Sequence, residues 1–258
     1  MQQFGAITEY IDVAQVTLYV FWIFFAGLII YLRREDTREG YPLEADIGGA
    51  VRRPNFVFFP KAKEYKLPDG EGSYFAPNGD RDTRAIKADR MAPWPGAALS
   101  PSGDNPLNDA IGPGAYAERA KVVEQTVHGG DLVAPLRLAT DFNVQRPSRD
   151  PRGMTVYGAD GEKGGEVVDI WVDRAEALIR HLEVRVGEGP TVLLPMAFAR
   201  LELDFNRITV RALHGHQFSG VPKLSDPDRI TRYEEEIIQA YWGGGYFYAD
   251  PKRPEPLV

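Results

Sequence analysis

Cysteine is absent from all 258 residues. Disulfides, thiolate zinc sites and thiol nucleophiles are excluded together, and the chain fits a reducing compartment without requiring one. An excess of positive charge is missing as well: 37 acidic residues against 30 lysines and arginines leave a net charge of −7. Such a balance lacks the single-sign basic face that phosphate binding needs, so nucleic acid is not an expected partner. Histidine is scarce, limited to His128, His181, His214 and His216. The sequence holds no G-x-S-x-G elbow, no G-x-x-x-x-G-K-[ST] phosphate loop and no H-E-x-x-H pair, which removes the commonest hydrolase, nucleotidase and zinc-protease signatures.

What is present begins with one long apolar run. Val13 to Leu32 carries no formal charge and is interrupted only by Gln15 and Thr17. About 20 residues at 1.5 Å each span a hydrocarbon layer of about 30 Å. Glu9 and Asp12 precede the run without any lysine or arginine, and no small-residue cleavage pattern follows it. It therefore reads as a retained anchor rather than a secretory signal. Arg33, Arg34 and Arg38 flank its far end. The positive-inside rule puts residues 1–12 outside, a transmembrane helix at 13–32 and the large body in the cytoplasm. The three arginines and Tyr31 are the expected membrane-interface residues, facing anionic headgroups. Ala26 and Gly27 offer a small-residue patch for a neighbouring helix.

Residues 33–110 mix proline, glycine and charge with short apolar pieces and read as an extended strap. Its aromatics, Phe56, Phe58, Phe59, Tyr65, Tyr74, Phe75 and Trp94, are too numerous for a solvated linker. A strap with so little core of its own calls for a larger partner surface. From residue 111 to 258 the pattern becomes mostly β. "PGAYAERAKVVEQ" reads as a short helix or turn, and "MTVYGADGEKGGEVVDIWVD" as strand, hairpin, strand. Three more strands are expected through Leu213, giving a small antiparallel barrel or sandwich. A short C-terminal helix follows, capped by Asp228 or Thr231 and stopped by Gly243.

Two places hold candidate chemistry. His214 and His216 could set two imidazoles on one side of a strand, but a metal site takes three or four ligands, so an ordinary exposed loop is the preferred reading. "DIWVDRAEALIRHLEV" gathers Asp169, Asp173, Glu176, Arg180 and Glu183 around one strand–turn–strand unit. That cluster reads either as the solvated edge of a barrel or as a proton relay, since crowded or desolvated carboxylates take raised pKa values.

The segments "YLRREDTREGYPLE", "NPLNDAIGPGAYAERA", "PLRLATDF", "DPRG", "VVDIWVDRAE", "LLPM" and "EEEIIQAYWGGGYFYADP" occur in that order. Together they resemble the H subunits of purple-bacterial photosynthetic reaction centres. The resemblance implies one transmembrane helix plus a cytoplasmic PRC-type β-barrel, in a bacterial inner (intracytoplasmic) membrane. It implies a non-catalytic subunit that caps the L and M subunits, with a core antenna ring and membrane lipids nearby. Bacteriochlorophyll, bacteriopheophytin, quinone and non-haem iron would reside in those partners, and no cofactor in this chain. By the same resemblance Glu176 and Asp173 belong to a proton route toward the secondary quinone, Arg180 tunes Glu176, and His128 marks the uptake point. The chain departs from the family's best-known form there: Thr126 and Gly130 replace an acidic residue and a second histidine, leaving surface protonation to Asp131 and Glu124. The rival reading is a membrane-tethered PRC-barrel adaptor for a soluble partner.

Overall fold

The computed structural model describes residues 12–41, 43–44, 51–52, 59–67, 72–79, 84–250 and 252. The expected periplasmic segment, apart from Asp12, and the aromatics Phe56 and Phe58 lie outside them. Met1–Arg84 with Trp94–Gly96 forms one compact unit, and Ala85–Pro93 with Ala97–Val258 forms another. The strap expected over 33–110 is thus shared between the two.

Helix α1 (Val13–Asp36) dominates the first unit. The Asp12 carboxylate accepts from the Gln15 amide at 2.7 Å and caps its first turn. The two polar interruptions are satisfied within the helix: Gln15 donates to the Tyr19 hydroxyl and Thr17 to the Val13 carbonyl. No residue of α1 is buried, and among the described residues it is the one helix long and apolar enough to cross a membrane. It continues past Leu32 through Asp36, where Arg33 pairs with Asp36 at 2.9 Å. Short hairpins follow, β1 (Leu43–Glu44) with β2 (Val51–Arg52) and β3 (Lys63–Lys66) with β4 (Ser73–Ala76). Arg34 is exposed, as is Tyr31. Arg38 differs: it donates to Glu35 and to the carbonyls of Lys61 and Ala76 at 2.8–3.0 Å. It ties the helix end to the feet of the β3–β4 hairpin.

The second unit opens with the hairpin of β5 (Ala88–Arg90) and β6 (Leu99–Pro101). Its centre is a seven-stranded sheet of β7 (Val133–Pro135), β8 (Thr155–Tyr157), β9 (Lys163–Asp173), β10 (Leu178–Arg185), β11 (Thr191–Pro195), β12 (Ala199–Glu202) and β13 (Arg207–Val210). Pairing runs β11-β10-β9-β8-β13-β12, with β7 also on β9. Four strands, rather than three, follow the first hairpin, because the 3-10 turn Met196–Phe198 separates β11 from β12. All pairs are antiparallel except β13 with β8. The two edge strands are joined by that three-residue turn. Five inter-strand steps of about 4.8 Å would hold the edges of a flat sheet about 24 Å apart, whereas so short a link reaches at most about 14 Å. The sheet must curl toward closure, which makes this the expected small barrel.

Val156, Ile170, Leu182, Val184, Leu194 and Ile208 fill its interior. Helix α2 (Arg232–Tyr248) is capped by Thr231, whose hydroxyl and the Glu234 carboxylate form a reciprocal capping box. Trp242 of α2 stacks edge-on against Phe218 at 4.9 Å and donates to the Leu193 carbonyl. Of the short helix or turn read over 113–125, the turn is what forms, as the 3-10 turn Gly112–Gly114 followed by extended chain. One expectation fails here. Gly243 does not stop α2, which runs five residues further. The glycines serve contact instead: a Cβ at Gly243 would sit 2.9 Å from the Pro113 carbonyl oxygen, at Gly244 3.2 Å from the Gly114 Cα, and at Gly245 2.5 Å from the Ala212 carbonyl oxygen.

Candidate functional site

Strand β9 is central rather than an edge, bordered by β10 on one side and by β8 and β7 on the other. Its polar residues are therefore covered: Asp169 and Asp173 are buried, as is Trp171 between them. The solvated-edge reading of this segment does not hold, because burial from Val167 onward extends to both faces.

At the end of β9, the Asp173 carboxylate accepts from the amides of Ala175 and Glu176 at 3.0 Å. This is the aspartate turn that reverses the chain into β10, with Ala177 held at φ 53°. Arg180 then bonds the other Asp173 oxygen at 3.1 Å and Glu235 at 2.8 Å. His181 Nε2 also meets Glu235, at 3.2 Å. Consecutive strand residues normally face opposite sides. Here the register shifts between Ile179 and His181, and this bulge at Arg180 re-aims its side chain so that both neighbours reach one carboxylate. Burial alone would raise the Glu235 pKa; hydrogen bonds from His181 and Arg180 outweigh it and hold the group at about 2. Arg180 is pushed up, chiefly by its bond to Glu235. His181 Nδ1 is buried without a hydrogen-bond partner among the described residues.

Glu176 is exposed at the tip of the turn. The arginine expected to tune it reaches Asp173 and Glu235 instead, so Arg180 acts on the buried acids behind Glu176. His128 is exposed on the turn of residues 126–130, and Asp131 beside it is held by Arg229 in a two-pronged pair at 2.8 Å. Glu124 approaches Arg232 at 3.4 Å. On the same sheet, Arg137 joins Asp169, Glu183 and Asp228 at 2.6–2.9 Å, and Trp171 Nε1 donates to Glu183. Asp169 and Glu183 thus belong to a separate ion network around Arg137.

Sequence reading missed Arg137, His181 and Glu235. Glu234, Glu235 and Glu236 are adjacent at the start of α2 and read alike as first-turn acids. They go to three different partners: Glu234 to Thr231 and Ser225, Glu235 to Arg180 and His181, Glu236 to Arg119. Only the tertiary fold selects the middle one.

Chemically, the arrangement is an exposed carboxylate backed by the buried Asp173 and the half-buried Glu235, both paired with Arg180. Residues 5–138 match the photosynthetic reaction centre H-chain N-terminal region, and residues 144–217 match the PRC-barrel domain.

Proposed function

Since the chain belongs to the photosynthetic reaction centre H-chain family, and is thereby a subunit of that complex, we propose that it caps the cytoplasmic face of the L and M subunits and carries protons toward the secondary quinone. The observation that carries the proton role is the line of side chains running inward behind Glu176: the Asp173 carboxylate, fixed by the Glu176 backbone amide at 3.0 Å, then Arg180, Glu235 and His181, linked by bonds of 2.8–3.2 Å. Reduction of a quinone to quinol takes up two protons, and a buried anion without them is costly. Glu176 exchanges protons with water at the surface, and Asp173 is the buried carboxylate beside it that takes them up. Glu235, held at about 2, keeps its negative charge at neutral pH; with Arg180 it positions the route and is not itself a carrier. His128 and Asp131 are the proposed uptake residues, and the Asp131–Arg229 pair makes Asp131 the more constrained of the two.

The capping role is supported by exposed apolar surface. Phe59, Tyr65, Tyr74, Phe75 and Trp94 of the strap are exposed, and no residue of α1 is buried. With α1 docked beside partner helices and its arginine end in the cytoplasm, these groups cover the partner's membrane-proximal surface.

The first experiment is a pull-out of the C-terminally tagged chain from native membranes in mild detergent. Near-infrared bands of bacteriochlorophyll and bacteriopheophytin at fixed ratio to the chain are expected, and a colourless eluate from photosynthetic membranes would refute the capping role. In the same complex, Glu176→Gln is expected to slow proton-coupled transfer of the second electron while sparing primary charge separation. An unchanged second-electron rate across pH would remove Glu176 from the route.

A further inference from the structure

The barrel carries a second cluster, which shares no residue with the proton groups. The turn between β8 and β9 supplies Asp160, and the segment after β13 supplies His214 and His216. One ligand atom from each lies within 4.8 Å of the others. We propose that these three residues bind a divalent cation of the Zn2+ or Cu2+ class, with water completing its coordination.

The donor set selects that class. Two imidazoles and one carboxylate suit zinc, copper or nickel, whereas calcium and magnesium take oxygen ligands. Three protein ligands with an open position is also the pattern of zinc sites that retain water.

The backbone beneath the cluster is locked. The Ala159 amide donates to the Leu213 carbonyl, and the Gly215 amide to both Asp160 oxygens at 3.1 and 3.3 Å. The Glu162 amide adds a bond to Oδ1 at 3.2 Å. Oδ2 thus accepts a single long bond and keeps lone pairs for a metal. A Cβ on Gly158 would lie 2.2 Å from the Gly215 nitrogen, and one on Gly215 would lie 2.8 Å from the Glu162 carbonyl oxygen. Only glycines allow the two segments to press together this closely. The histidine rings stand 5.8 Å apart, centre to centre, and tilted by 62°. Zinc bonds of about 2.0–2.1 Å set tetrahedral ligands about 3.3 Å apart. Drawing the donors in from 4.8 Å at most is within reach of side-chain rotation, with the backbone unmoved. The bound ion would clip the β8–β9 turn to the stretch that leads toward α2.

The test uses the full-length chain in detergent, stripped with chelator and titrated calorimetrically with zinc chloride. Wild type is expected to bind one zinc ion that His128→Ala leaves in place and that His216→Gln weakens by about tenfold or more. His216 is exposed, so its replacement leaves the fold intact. The double variant His214→Ala/His216→Gln is expected to lose the site. Copper(II) substituted into wild type should show electron-spin hyperfine coupling to two imidazole nitrogens. Zinc affinity unchanged in the double variant, or copper coupled to fewer than two nitrogens, would overturn the assignment.

Discussion

At Glu235, burial and ion pairing oppose one another, and pairing wins. Its folded pKa of about 2 lies below the 4.5 of an unperturbed glutamate. A depressed carboxylate contributes stability that is present above its unfolded value and lost as pH falls through the folded one. The window is therefore pH 4.5 down to about 2, and the contribution is on the order of 3 kcal/mol. Thermal melts of the detergent-solubilised chain should show wild type losing its advantage over Glu235→Gln across that window. Parallel pH profiles for the two would contradict the pairing. Part of this site was legible: Asp173, Glu176 and Arg180 lie within eight residues of one another. Glu235 was not, since it joins them across 55 residues of chain and through a bulge that breaks the two-residue period. Pattern can assign a strand face, but not a local register shift.

At the scale of the element, the glycine triplet of α2 shows how a local rule yields to packing. Glycine is a poor helix former and a common helix stop, so Gly243 read as a terminus. In the fold its missing side chain is what allows α2 to lie against the Gly112–Gly114 turn and the Ala212 carbonyl. Gly245→Ala should accordingly destabilise the unit by about 1–3 kcal/mol through overpacking, against a helix-propensity gain of about 1 kcal/mol. Gly27→Ala in α1 meets nothing within 4 Å and should stabilise the isolated chain by up to about 1 kcal/mol through helix propensity alone. Chemical denaturation of both variants checks the contrast, and a stabilised Gly245→Ala would refute it. The alternation in β9 was legible, and it did place a strand there. That both faces would be covered was not, because the covering groups come from Arg137 and from the Gly215–Gly220 turn with Phe218, far along the chain.

For the whole molecule, the two compact units differ in how their apolar groups are disposed. The second has a core that includes the fully buried Trp171 and Trp242, whereas no residue of α1 is buried. A chain beginning at Ala97 retains only those two of the four tryptophans. It is expected to remain in solution without detergent, to fluoresce at short wavelength and to shift red in one cooperative step with urea. Long-wavelength emission before any denaturant would show that this core forms only on the partner.

The Arg38 bracket gives α1 a mechanical role. Because its guanidinium grips Glu35 at the helix end and the Lys61 and Ala76 carbonyls at the foot of the β3–β4 hairpin, helix and hairpin move as a lever. The 24 residues of α1 rise about 36 Å, so a 10° change in tilt about its N-terminal end carries the Arg38 end sideways by about 6 Å. A thinner or thicker bilayer would thus be felt by the hairpin as a displacement, registering lipid composition in the position of the strap.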